Sequence, residues 1–321
     1  MNIKLNFILL AAGSGQRFGY SKNKLLYIKQ DRTLFSRLWH NLVSYADELS
    51  SPKEDKLKLS LSPVELKSKL CLAQNTQSFS LTQANASSTY QAAILEAYQK
   101  NVLKFSVNFI LVCQESDAAM FTSDIKRNLP KLATVSLAKG ANNREASMLS
   151  ALKAYVNKQT KPIYTQATNL QPVDKELVFI HDAARLQVSP NLLDELLLTA
   201  LLYDTAIPAL PVTDTIVQLN NLSAPSAFAK TDFQNSYTSS QRLDRNSLLA
   251  LQTPQVFTLA NLQKLLAYLT QNKADTNLLS KYTDDSSLYE AFIGPVNYVY
   301  GDPNNSKLTV KEDLEKLTAL S

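Results

Sequence analysis

Residues 11–24, AAGSGQRFGYSKNK, concentrate half of the chain's glycine in one short stretch. The protein has 6 glycines in 321 residues, far below the usual share of about 7%. Three of the six are Gly13, Gly15 and Gly19. A chain that uses so little glycine is expected to keep it where φ is positive or where a ligand lies against the backbone. The stretch therefore predicts either a tight structural turn or a loop that receives a ligand.

Fixed positive charge accompanies these glycines, because Arg17, Lys22 and Lys24 lie in the same stretch. The spacing is not that of a dinucleotide site, since the third glycine of G-x-G-x-x-G comes one position late and Phe18 stands in its place. It is not a P-loop either, because G-x-x-x-x-G-K-[ST] is absent. A flexible backbone with arginine and lysine suits a ligand with more charge than a pyrophosphate diester, such as a nucleoside triphosphate.

Composition excludes several other classes of protein. The net charge of +5 is spread along the chain, whereas nucleic-acid binding usually shows a clustered basic stripe. Cys71 and Cys113 fit neither a metal-binding spacing nor a disulfide framework, which favours a reduced, cytoplasmic compartment. No apolar run approaches the roughly 18 residues of a membrane span, and the run at 5–12 is short for a signal peptide. We therefore expect no nucleic-acid or membrane partner.

The elements that must position the glycine-rich stretch alternate between strands and helices. Apolar runs predict strands at 6–10, 108–114, 133–138, 176–185, 205–212 and 297–302. Helical spacing and capping residues predict helices at 31–45, 144–156, 189–204 and 309–320. This alternation indicates an α/β fold with a mainly parallel sheet, and such sheets bind ligands beyond the carboxyl ends of their strands.

Three segments break the alternation. Residues 47–106 are rich in Lys, Ser, Gln and Asn and predict an insertion. Residues 157–175 predict an extended loop, and residues 216–246 predict a projecting hairpin arm. We interpret residues 1–321 as a single domain that carries this insertion and this arm.

Seven ordered motifs give the chain a resemblance to the cytidylyltransferases of the non-mevalonate isoprenoid pathway. In chain order they are LLAAGSGQRFG, ANNREASMLSALKA, VFIHDAAR, PALPVTDTI, LDRNSLLALQTPQVF, YTDDSSLYE and GDPNNSKLTVKEDL. Together they span almost the whole chain. The resemblance implies a Rossmann-like, three-layer nucleotidyltransferase fold whose arm contributes to a homodimer. It implies an in-line transfer of CMP from CTP to methylerythritol phosphate.

The resemblance also implies roles for individual residues on the nucleotide side. Arg17 and Lys24 would hold the triphosphate and neutralise the charge that develops on the α-phosphate, and Asp182 would bind Mg²⁺ or another divalent cation. Catalysis would rest on these three residues together with Lys307. The residues implied in binding CTP are Ala11, Ala12, Gly13, Gly15 and Ser147.

A further set of residues is implied in binding methylerythritol phosphate. The set consists of Arg185, Thr215, Arg245, Thr253, Thr283 and Lys307. In the family the residue at the position of Arg245 comes from the partner subunit, so dimerisation would complete the site.

Two departures from the family pattern leave details open. Asn23 stands where the family usually has proline, so that either Lys22 or Lys24 is the main phosphate ligand. The turn KGANNR has one glycine where the family has two, which leaves the partners of Ala141 and Asn142 undefined.

The sequence leaves other interpretations of several residues, and of the whole protein, open. Asp182 has the alternative of capping a helix, Thr283 of serving as an N-cap, and Asp284 and Asp285 of complementing a helix dipole. Thr215 and Thr253 have the alternative of being ordinary strand residues, and Lys307 of being a solvated lysine. A ribitol 5-phosphate cytidylyltransferase shares the fold and the CTP loop, and a non-catalytic nucleotide-binding relative would also retain them. His181 is expected to be a hydrogen-bonded strand residue rather than a catalyst.

Overall fold

The computed structural model describes residues 1–13, 15–50, 84–100, 102–166, 172–219, 239–272 and 281–317. The strands of this part of the chain are β1 (Asn2–Leu10), β2 (Ile28–Lys29), β3 (Arg32–Thr33), β4 (Lys104–Cys113), β5 (Ala133–Lys139), β6 (Lys161–Thr165), β7 (Lys175–Asp182), β8 (Thr205–Pro211), β9 (Val217–Leu219), β10 (Ser239–Arg242), β11 (Leu249–Leu251), β12 (Gln255–Thr258) and β13 (Tyr298–Tyr300). The α-helices there are α1 (Leu34–Ser50), α2 (Ala84–Gln99), α3 (Ala118–Arg127), α4 (Arg144–Val156), α5 (Pro190–Tyr203), α6 (Leu259–Gln271) and α7 (Asp285–Phe292).

A mixed sheet forms the centre of the fold in the order β11-β8-β12-β7-β1-β4-β5-β6, with β13 paired to β8. Four of these strands run parallel to one another: β7 pairs with β1, β1 with β4, and β4 with β5. Leu10 lies beside Asp182 on one side and Val112 on the other, so the carboxyl ends of β7, β1 and β4 meet at one edge. The predicted α/β fold with a mainly parallel sheet is confirmed.

Helices cover both faces of this sheet, which is why its central strands are apolar on both sides. On one face Phe7 stacks between Phe109 and Phe179, with ring centroids 5.3 and 4.6 Å away, and this core includes side chains of α1, α2, α3 and α5. On the other face Ile8 and Ile180 pack with side chains of α4, α6 and α7. The three-layer arrangement leaves the edge of the sheet as the place where polar side chains gather.

Local sequence signals account for where these elements begin. Ser189 caps α5 by accepting a hydrogen bond from the backbone N–H of Leu192 at 3.3 Å, and Pro190 occupies the first helical position. The helix predicted at 144–156 has the observed bounds of α4.

Two sequence-based expectations are wrong. The loop expected at 157–175 contains β6, which pairs antiparallel with β5. Of the helix expected at 309–320, residues 318–320 lie outside the described ranges and residues 309–317 contain a short 3₁₀ turn, Lys311–Lys316. The Asp313 carboxylate accepts hydrogen bonds from the backbone N–H groups of Thr309 and Val310.

The predicted insertion and arm are described in part. Residues 51–83 lie outside the described part of the chain, while α2 joins the core through Ile94 and Tyr98, which are 1% and 4% exposed. In the arm, β9 and β10 form an antiparallel ribbon, and residues 220–238 between them lie outside the described ranges. No helix in the described ranges combines the length and apolar character needed to cross a membrane.

Candidate functional site

The glycine-rich loop leaves the sheet directly at the end of β1. The backbone N–H of Ala11 still donates to Val112 O at 2.8 Å, after which the chain turns away. Gly15 and Gly19 have φ of +65° and +68°, in the left-handed region that favours glycine. Gly13 has no heavy atom within 4 Å of where a Cβ would lie. Gly15 and Gly19 therefore shape the turn, and Gly13 leaves its backbone accessible to a ligand.

A second glycine-dependent contact joins this loop to the end of β5. A Cβ on Gly140 would lie 2.3 Å from the Cβ of Ala12, closer than side-chain atoms ever approach. The Gly140 N–H also donates to Cys113 O at 2.9 Å. The loops that follow β1 and β5 thus touch because residue 140 lacks a side chain.

Asn23 replaces the family's proline with a set of hydrogen bonds. Its Oδ1 accepts from the backbone N–H of Leu25 at 3.1 Å and caps the 3₁₀ turn Lys24–Leu26. Its Nδ2 donates to Ala11 O at 2.6 Å. This side chain, which is 5% exposed, fixes the turn that carries Lys24 against the end of β1.

Lys24 points into the fold, whereas Lys22 is exposed. The Lys24 ammonium donates to Leu308 O at 2.6 Å. Burial lowers the pKa of Lys24 to about 8, helped by the positive charges of Lys307 and Arg17. Lys24 is therefore the lysine of this loop that lies among the other predicted site residues.

Asp182 lies at the end of β7 and is held by two cations. Its Oδ1 accepts a hydrogen bond from Arg144 Nε at 2.7 Å, and its Oδ2 accepts one from Lys307 Nζ at 2.6 Å. Burial alone would raise the pKa of Asp182, but Arg144 and Lys307 outweigh it and hold that pKa well below its ordinary value. The carboxylate is therefore charged throughout the neutral range.

Arg144 and Asp285 were not predicted as site residues, and they join this cluster. The Arg144 guanidinium donates from Nη1 and Nη2 to the two carboxylate oxygens of Asp285, at 3.0 and 2.8 Å. The Asp285 side chain is buried and does more than complement a helix dipole. The sequence offers one sign of this contact, which is the position of Arg144 at the start of the predicted helix. Its partner Asp285 is 141 residues away, so no local spacing connects the two.

A buried chain of hydrogen bonds holds the backbone of Asp182. The Asp182 N–H donates to Thr253 Oγ1 at 3.0 Å. His181 Nε2 faces Arg185 O at 3.0 Å, and a carbonyl only accepts, so Nε2 carries the proton. His181 Nδ1, 3.1 Å from Thr253 Oγ1, is then the acceptor of the threonine hydroxyl. His181 is a hydrogen-bonded strand residue, as predicted.

Ser147 organises the turn before α4. Its Oγ accepts from the backbone N–H of Ala141 at 2.9 Å and donates to Asn143 O at 2.7 Å. These contacts supply the partner of Ala141 that sequence left undefined. Because Ser147 is 2% exposed and its hydroxyl is engaged, a contact with CTP stays a prediction.

The side chains of the remaining predicted substrate-binding residues either bond to backbone carbonyls or are exposed. Arg185 donates to two backbone carbonyls, Asn305 O at 2.8 Å and Leu251 O at 3.3 Å. Arg245 is exposed and donates to Thr213 O at 2.8 Å, just before the arm. Thr215 and Thr283 are also exposed, and Asp284, not Thr283, caps α7. Substrate binding by these residues stays a prediction.

The described residues can supply part of a magnesium site. They contain no group of three or more His, Cys, Asp or Glu side chains placed to hold a metal. Mg²⁺ commonly takes one or two carboxylates and completes its coordination with phosphates and water. Each Asp182 oxygen has a second lone pair beyond the hydrogen bond that it accepts, so this carboxylate fits such an ion.

Comparison with known proteins identifies the family. The family model described as IspD: 2-C-methyl-D-erythritol 4-phosphate cytidylyltransferase matches residues 87–320. A protein of that name from Geobacillus kaustophilus is 32% identical over 206 residues, which is 64% of this chain and 73% of that protein. A namesake from Geobacillus thermodenitrificans is 40% identical over 139 residues, 43% of this chain and 52% of that protein.

Solved structures are similar in fold. A 4-diphosphocytidyl-2C-methyl-D-erythritol synthase from Anaerococcus prevotii has a TM-score of 0.57 at 19% identity, over 98% of this chain and 94% of that one. The bifunctional IspDF of Campylobacter jejuni has a TM-score of 0.53 at 23% identity, over 98% of this chain and 54% of that one. The chain therefore belongs to the IspD family of 2-C-methyl-D-erythritol 4-phosphate cytidylyltransferases.

Proposed function

We propose that this chain transfers CMP from CTP to 2-C-methyl-D-erythritol 4-phosphate, giving 4-diphosphocytidyl-2-C-methyl-D-erythritol and pyrophosphate. The observation that carries this proposal is the meeting of Lys24, Asp182 and Lys307 at the carboxyl edge of the sheet. The open backbone at Gly13 borders the same edge. A triphosphate needs such fixed charge next to accessible backbone N–H groups.

The reaction needs no general base. An oxygen of the acceptor's phosphate attacks the α-phosphorus of CTP, the new P–O bond forms, and the bond to the bridging oxygen of the β-phosphate breaks. The attacking phosphate is already ionised at neutral pH. His181 supports this mechanism, because burial lowers its pKa to about 4 and both ring nitrogens are engaged in hydrogen bonds.

Positive side chains would act by positioning and by charge. We propose that Lys24 exchanges Leu308 O for a phosphate oxygen, and that Arg17 reaches the triphosphate from the exposed side of the loop. Lys307 would bind phosphate while it stays near Asp182. Preorganised donors of this kind stabilise the charge that builds up in the transition state.

Asp182 would hold the divalent cation together with phosphate oxygens. When bound, Mg²⁺ would neutralise part of the negative charge of the triphosphate. Arg144 and Lys307 keep the Asp182 carboxylate ionised and oriented for this role.

The acceptor pocket would be completed by a second copy of the chain. We propose that Arg185, Thr215, Thr253 and Thr283 serve the acceptor from one protomer, and that Arg245 reaches it from the partner's arm. Three large apolar side chains on the strands β9, β11 and β13 are exposed and available for contacts with a second copy. They are Val217, Leu249 and Tyr300, which are 39%, 49% and 62% exposed.

The identity of the acceptor is the direct test of this proposal. The purified full chain is incubated with CTP and Mg²⁺ and with either 2-C-methyl-D-erythritol 4-phosphate or ribitol 5-phosphate, and products are identified by mass spectrometry. We expect the methylerythritol product to form faster. Faster formation of the ribitol product would favour the ribitol enzyme. CTP binding without pyrophosphate release from either acceptor would favour a non-catalytic relative.

A further inference from the structure

Asp285, which is buried, has no role in the reaction as proposed above, and the half-buried Arg144 enters it only as a support of Asp182. Arg144 and Asp285 are the first residues of α4 and α7. Together with Asp182 and Lys307 they form a chain of alternating charge, Lys307–Asp182–Arg144–Asp285. Its members come from four separate parts of the sequence.

Asp285 holds two of the three nitrogens of the Arg144 guanidinium, and this fixes the direction in which the third nitrogen points. Its two Nη atoms donate as a fork to Asp285, at 3.0 and 2.8 Å, and its Nε donates to Asp182 at 2.7 Å. The guanidinium is planar with donors in a fixed geometry, so the fork on Asp285 determines where Nε points. Asp285 thereby sets the direction from which Asp182 is held.

The two cations that hold Asp182 differ in freedom. The Arg144 side chain is 21% exposed and bound at three nitrogens, whereas the Lys307 side chain is 42% exposed. Arg144 is therefore the rigid support, and Lys307 is the partner that is free to move. Buried ion pairs add little net stability compared with apolar packing of the same volume, so stability alone does not account for this arrangement.

We infer that Arg144 and Asp285 are positioning residues that hold the Asp182 carboxylate in the orientation used for turnover. Asp285 is linked to Asp182 by hydrogen bonds through Arg144, so it supports that carboxylate indirectly. The inference rests on the proposed function, because it concerns a step that Asp182 serves.

A set of four variants of the full chain tests this inference. They are Arg144→Gln, Arg144→Lys, Asp285→Asn and the double variant Arg144→Gln/Asp285→Asn. Turnover is measured as pyrophosphate release, and calorimetry gives the number and affinity of CTP-binding sites. Expressing kcat per CTP-binding site removes any contribution from unfolded protein.

Each single variant is expected to lower kcat by roughly 10- to 100-fold, the usual effect of removing the support of a site residue. The dissociation constant of CTP should change much less than kcat. The double variant should be no slower than Arg144→Gln alone, because the hydrogen bonds that link Asp285 to Asp182 run through Arg144 and what is left without it is repulsion between the two carboxylates. Arg127→Gln is the matched control, since the Arg127 side chain is 72% exposed, pairs with Asp124 at 3.2 Å within α3 and should not affect turnover.

Other outcomes overturn the inference. They are a kcat within about twofold of wild type for Asp285→Asn, losses that multiply in the double variant, or a loss explained wholly by weaker CTP binding. Absence of turnover in the wild-type chain would instead overturn the proposed function, and this inference with it.

Discussion

Lys24 shows how a single side chain acquires its chemistry from the residues around it. Burial first, and then the charges of Lys307 and Arg17, lower its pKa to about 8, while a neutral carbonyl oxygen is its hydrogen-bond acceptor. The lysine is still largely protonated at pH 7, so it meets an anion with its charge intact. Above pH 8 the uncharged amine would hold phosphate poorly.

This gives a pH dependence that a substitution can remove. For the wild-type chain, kcat/KM for CTP should fall as the pH rises through about 8, because that ratio reports ionisations of the free protein. In Lys24→Arg the fall should be absent between pH 7 and 9, since arginine keeps its charge. Each profile is scaled to its own value at pH 7, and Lys22→Arg should retain the wild-type profile. The same fall in Lys24→Arg would show that another group titrates.

Thr253 permits a second test at this scale. Replacing it with valine keeps the shape but leaves the Asp182 N–H and His181 Nδ1 without their partner. We expect the free energy of unfolding to fall by about 1–3 kcal/mol, the cost of unsatisfied buried polar groups. Urea denaturation followed by the fluorescence of Trp39 measures this change.

The matched control is Thr122→Val. Thr122 is on a helix and donates to Ala118 O at 2.7 Å, so removal of its hydroxyl leaves one partially exposed carbonyl. It should change stability by less than about 0.5 kcal/mol. Equal losses in the two variants would show that the hydrogen bonds of Thr253 to Asp182 and His181 add nothing special to stability.

At the scale of elements, most of the secondary structure follows from sequence because its signals are local. Ser189 and Pro190 mark the start of α5, and apolar runs mark the central strands. The edge strand β6 was missed because Pro162 weakens a strand pattern, although proline is tolerated on an edge. Lys24 and Asp182 were found through motifs. The pair of Arg144 and Asp285 was missed, because no spacing reveals a contact made only by folding.

The contact between the loops after β1 and β5 can be tested at Gly140. In Gly140→Ala the new methyl group meets Ala12, so the loops must separate. We expect a loss of about 1–3 kcal/mol in stability and weaker binding of CTP, measured by denaturation and calorimetry. Gly13→Ala is the control for stability and should leave it unchanged, because nothing lies within 4 Å of that Cβ. Normal CTP affinity in Gly140→Ala would show that the contact does not shape the nucleotide site.

At the scale of the whole molecule, the arm links two copies of the chain in our proposal. The Arg245 side chain is exposed and donates to the backbone at Thr213, just before the arm, which suits a side chain directed at another protomer. A site built from two protomers requires Lys24 from one copy and Arg245 from the other.

Mixing two inactive variants tests this arrangement. Lys24→Ala and Arg245→Ala should each lose nearly all turnover, and mixing them with subunit exchange should restore about a quarter of wild-type activity. Half of the dimers are then mixed, and each mixed dimer has one intact site. Sedimentation of the wild-type chain should show a dimer. No recovery in mixtures that do exchange subunits would place both residues in sites of one protomer.

The central claim is that fixed positive charge beside the glycine-rich loop drives transfer of CMP. Its most direct test is pyrophosphate release from CTP, 2-C-methyl-D-erythritol 4-phosphate and Mg²⁺ by the wild-type chain and by Lys24→Ala and Arg17→Ala. We predict release only when all three components are present, and a kcat lower by about 10²–10³ in each variant with the fold intact. No release by the wild-type chain, or near-normal turnover in both variants, would contradict the claim.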